Sequence, residues 1–79
     1  MKRRTFQQIR KNLIRELINK DRNLNQLARA AGVSWKTAEN HLIYLIGRGY
    51  VIKVVDSPYV KIFRITEKAK RGKIKNAKL

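Results

Sequence analysis

The spacing of apolar residues changes once along this chain, at Gly47-Arg48-Gly49, and that change limits the folds open to it. Before the break, apolar side chains recur at three- and four-residue steps; after it, they alternate. Phe6, Ile9, Leu13, Ile14, Leu17 and Ile18 form the stripe of an amphipathic helix, with Thr5 placed to cap it. The polar run Asn19-Lys20-Asp21-Arg22-Asn23 interrupts the stripe, and Asn23 predicts the cap of a second helix burying Leu24, Leu27, Ala28 and Ala31. Gly32 ends that helix because glycine takes a left-handed backbone cheaply. Val33 plugs the corner, and Ser34 caps a third helix running to about Ile46. Tyr50 to Val55 and Tyr59 to Ile65, rich in β-branched and aromatic residues, predict an antiparallel hairpin turning at Asp56-Ser57-Pro58. Thr66-Glu67 opens a short fourth helix, for which only Ala69 and Ile74 offer apolar surface and which Gly72 interrupts. The expected class is α+β: a three-helix core, a two-stranded β-hairpin, and a short C-terminal helix or tail.

Length allows one small core, so residues 1–79 read as a single domain. A basic arm at 1–4 precedes it and a frayed basic tail from about 71 to 79 follows. Lys and Arg number 20 against 5 Asp and Glu, a net charge of +15. Six of the bases fall in the first fifteen residues, with no acid among them, and eight lie from Lys61 onward beside Glu67 alone. Such an excess repels itself and points to a polyanionic partner, nucleic acid before an anionic membrane surface. No apolar run is long enough for a membrane span, and Gln7, Gln8 and Arg10 stand where a signal peptide needs an apolar stretch. With no Cys there is no disulfide and no thiolate metal site. One His, scattered carboxylates and no glycine-rich phosphate loop supply no catalytic constellation, so no enzyme activity, cofactor or metal is expected. The expected setting is the cytoplasm, in association with the nucleoid.

The segment from Leu24 to Ala38, LNQLARAAGVSWKTA, resembles the helix-turn-helix unit of winged helix-turn-helix DNA-binding domains. Asn40 to Val51, NHLIYLIGRGYV, is similar to that family's junction between recognition helix and wing, and FRITEKA at 63–69 to the end of its wing. The resemblance covers roughly Phe6 to Lys70 and extends to MarR-like and ArsR-like prokaryotic or archaeal transcription regulators. It implies a small, sequence-preferring regulator that binds double-stranded DNA. Helix 34–46 would lie in the major groove, and the wing and basic termini would hold phosphates. The chain departs from the pattern at Ala38, where the family usually has Val or Ile. Trp35, one turn earlier, is expected to fill the missing volume, the alternative being a ring that stacks on a base.

At about 100° per residue, placing Ala38 inward turns Leu42 and Leu45 with it and puts His41 on one flank. Lys36 and Asn40 then face outward, with Thr37 and Tyr44 to one side. Asn40 can donate to and accept from adenine, and Lys36 can donate to guanine or a phosphate. Ser34 and Thr37, at the positive end of the helix, suit a phosphate oxygen. His41 serves either flank packing or a phosphate contact, and Tyr44 either stacks on the first helix or reaches a phosphate. Lys53, Lys61 and Arg64 are candidates for the backbone beside the wing, and Ser57 and Tyr59 for its tip. Ile43 points outward and, like the first helix, is a candidate surface for a homodimer reading two half-sites. RNA is an alternative partner for the same basic fold. A protein-interaction module is a third reading, against which the excess charge counts.

Overall fold

The computed structural model describes residues 5–72, so the arm at 1–4 and the tail beyond Gly72 lie outside the described residues. The first helix, α1 (Phe6–Asn19), begins where Thr5 and Gln8 cap each other. The Gln8 amide donates to Thr5 Oγ1 and the Thr5 amide to Gln8 Oε1, both at 3.0 Å. Ile9, Leu13, Ile14 and Leu17 are buried, whereas Phe6 and Ile18 of the expected stripe are exposed. Ile18 lies roughly 115° around the helix from the centre of the buried arc. Phe6 sits on the correct arc but at the open end of the helix, edge-on to the His41 ring at 4.9 Å.

A two-residue strand, β1 (Arg22–Asn23), leads into α2 (Leu24–Ala31). Asn23 caps α2 as expected, with Gln26 closing a second capping box. Gly32 takes φ 71°, in the left-handed region, and the Val33 amide donates to the Ala28 carbonyl. The third helix, α3 (Trp35–Gly47), starts at Ser34, whose Oγ accepts from the Thr37 amide. Gly49 at φ 83° turns the chain into β2 (Val51–Asp56), which pairs antiparallel with β3 (Lys61–Ile65). Both strands are shorter than expected at one end. The Tyr50 amide is taken by the Leu45 carbonyl of α3, and the Tyr59 and Val60 amides by Ser57 Oγ in the tip turn. The ladder slips between Lys53 and Val55, a one-residue bulge at Val54.

The sheet has three strands, in the order β1-β3-β2, where the sequence predicts two. Arg22 pairs with Phe63 and Asn23 with Ile62. A two-residue strand carries no alternation to read. Arg22 is held instead by its own side chain, which donates to the Glu16 carbonyl at 3.1 Å. The helices and one sheet face enclose Leu13, Leu17, Leu27, Leu42, Leu45, Val51 and Phe63, all fully buried. The last helix, α4 (Glu67–Gly72), is anchored by buried Ala69 and by Thr66, whose hydroxyl donates to the Gly49 carbonyl at 2.6 Å.

The expectation for Trp35 fails: it is 55% exposed, while Ala38 is fully buried without it. Buried Ala28 and Ala31 face the same helix pair, and short side chains on α2 and α3 let the two helices approach closely. No large side chain is then needed to fill the space.

Candidate nucleic-acid interface

One face of α3 is committed to the interior through Ala38, His41, Leu42 and Leu45. On the opposite face Lys36, Asn40 and Ile43 are exposed, one helical turn apart, spanning about 10 Å along the axis. Neither Lys36 nor Asn40 has a hydrogen-bond or ion-pair partner among the described residues. Gly47 continues the ridge, and a Cβ added there would meet nothing within 4 Å. The ridge is unobstructed, and its polar groups face solvent. At its N-terminal end Ser34 and Thr37 are joined by a 3.1 Å hydrogen bond between their hydroxyls.

His41 and Tyr44 face α1 instead. Arg10 Nε donates to His41 Nδ1 at 3.0 Å, and its guanidinium lies 3.7 Å from the Tyr44 ring centroid. His41 is only 6% exposed. Burial, and then the Arg10 charge, hold its pKa below the usual 6.5, so the ring is neutral at pH 7. These side chains fasten α3 to α1, so the packing alternative describes His41 and the stacking alternative Tyr44. The sequence assigns Arg10 only to the basic N-terminal segment and not to this contact, because a base within a helical stripe is indistinguishable from solvated charge until its neighbours are known.

The three cations expected beside the hairpin each hold a carboxylate. Lys61 Nζ meets Glu39 at 2.8 Å, Arg64 grips Asp21 with two hydrogen bonds at 2.9 and 3.1 Å, and Lys53 meets Asp56 at 3.4 Å. The hydrogen bonds hold the Asp21 carboxyl below its ordinary range and push Lys61 and Arg64 up. Glu16 pairs with Arg22 at 3.6 Å, so each of these four acids is matched to one base. Lys11, Arg15, Lys20, Arg29 and Lys36 have no acid partner among the described residues. At the hairpin tip the Ser57 hydroxyl is spent on the turn, donating to the Val60 carbonyl, and Tyr59 projects fully exposed.

No group of His, Cys, Asp or Glu that could hold a metal occurs among the described residues. No helix among them is long and apolar enough to cross a membrane. No family model and no curated protein matches the chain. Solved structures do match. The DNA-binding protein Sso10a-2 from Sulfolobus solfataricus superposes with a TM-score of 0.73 at 25% identity, over 94% of this chain and 77% of that one. The homodimeric winged helix-turn-helix DNA-binding domain of a possible ArsR-family regulator from Mycobacterium bovis superposes at 0.71 and 25% identity, over 80% and 58%. This is a winged helix-turn-helix fold. The adhesin competence repressor of Streptococcus pyogenes shares it at a TM-score of 0.72 and 20% identity, but the winged-helix chain spans only 48% of that protein's length. In this fold α2 and α3 form the helix-turn-helix, β2 and β3 the wing, and α3 is the element whose outer ridge is exposed.

Proposed function

We propose that this winged helix domain binds double-stranded DNA with sequence preference, as a small transcription regulator working on the nucleoid. The observation that carries the reading is the Lys36–Asn40–Ile43 ridge, exposed and unpartnered on a helix whose other face is fixed in the core. An α-helix fits the major groove, where Asn40 can read adenine through its amide and Lys36 can donate to guanine or a phosphate. Ile43, on the same ridge, would meet thymine methyl groups, which leaves α1, with exposed Phe6 and Ile18, as the surface for a homodimer. The net charge of +15 supplies the attraction that sequence-independent binding needs.

Selection of bound fragments from random duplex DNA tests this reading. A recovered consensus is expected, and Asn40→Ala should flatten it at one or two positions, costing about 1–3 kcal/mol there. Recovery of fragments with no shared sequence would reject groove reading by α3.

A further inference from the structure

Trp35 belongs neither to the core nor to the outward ridge, yet it opens α3 with 55% of its surface exposed. Tyr59, at the wing tip, is 96% exposed. The two rings border a single cleft of about 470 Å³, which Leu24, Asn25, Pro58 and Lys61 also line. That volume falls in the ~300–1,000 Å³ range of small-molecule sites. Asn25, exposed and without a partner among the described residues, offers an amide donor and acceptor at its edge.

The chemistry of the cleft selects its occupant. Flat aromatic rings engage the faces of other flat rings, and in an intact duplex those faces are hidden within the stack. An unpaired base presents them. Charge points the same way, because a chain of +15 draws a polyanion. Lys36, the residue after Trp35, is exposed and has no acid partner among the described residues, which leaves its charge available to a phosphate. We infer that the cleft between Trp35 and Tyr59 takes an unpaired nucleobase, so that the domain holds DNA where duplex gives way to single strand. This rests on the DNA-binding reading and extends it to a second form of the ligand. Because stacking, not hydrogen bonding, supplies most of the hold, the bound base is accepted largely without regard to sequence.

The test compares a blunt duplex with the same duplex carrying a six-thymidine tail, followed by anisotropy of a label on the far end at one salt concentration. The additional phosphates tighten binding by themselves, but equally in Trp35→Ala, which changes no charge. The tailed-to-blunt affinity ratio is therefore expected to exceed that of Trp35→Ala by about fivefold or more, with Trp35→Phe retaining most of the difference. Trp35 is the chain's only tryptophan, so its emission reports on this cleft alone, and the tail should quench it more than the blunt end does. A ratio unchanged in Trp35→Ala overturns the inference, as does an emission change driven by protein concentration without DNA. Binding to neither duplex defeats the α3 reading. A single-stranded thymidine oligonucleotide then decides the cleft separately, with quenching supporting it and no quenching rejecting it.

Discussion

His41 shows how one side chain's surroundings redirect it. From its position on the helix it could serve packing or a phosphate, and its burial, with Arg10 donating to Nδ1 and Phe6 edge-on to the ring, gives it a packing role. The neutral form is the one that accepts this bond, so the folded pKa lies below the unfolded value of about 6.5. A proton binds more readily to the unfolded chain, which makes stability rise with pH through this window. Stability from His41 is fully present above about pH 6.5 and is lost as the solution is acidified below it. Thermal melts between pH 5 and 7.5 should show this slope, and His41→Gln, whose amide oxygen can still accept from Arg10, should flatten it. A slope of equal size in the variant would assign the effect to another group. Asp21, depressed by Arg64, acts in a separate and more acidic window, below the ordinary carboxylate range.

At the scale of elements, Gly32 sets the angle between α2 and α3, and its φ of 71° is one that other residues resist. Gly32→Ala should destabilise by about 1–2 kcal/mol, each kcal/mol lowering Tm by about 4–8 °C in a domain of this size. An unchanged Tm in calorimetry would mean that the turn relaxes to another geometry. The wing offers a second test, because Lys61 is held by Glu39 of α3. Glu39→Gln should free this cation for phosphate, tightening duplex binding at low salt and steepening the log–log salt slope by about 0.9. Elements of this kind were legible where local chemistry specifies them. Thr5, Asn23 and Ser34 cap the expected helices, and Gly32 turns where a glycine was needed. What escaped the sequence depends on residues distant in the chain. Strand β1 exists because β3 lies beside it, Lys61 and Arg64 are engaged by acids 22 and 43 residues away, and Trp35 is released from the core because the alanines of α2 and α3 close the gap.

For the molecule as a whole, the balance of charge governs behaviour. Four carboxylates are matched within the structure, which leaves Lys11, Arg15, Arg29 and Lys36 to face a ligand. If six to ten phosphates are neutralised, raising salt from 50 to 200 mM should weaken duplex binding by about 10³- to 10⁵-fold. A footprint titration across that range measures it, and a flat response would refute electrostatic attachment. The outward placement of Trp35 carries one further consequence. Since the sole indole is largely wetted in the native state, its fluorescence spectrum should shift little on denaturation. The loss of structure would then register in far-ultraviolet circular dichroism while the tryptophan signal stays nearly silent.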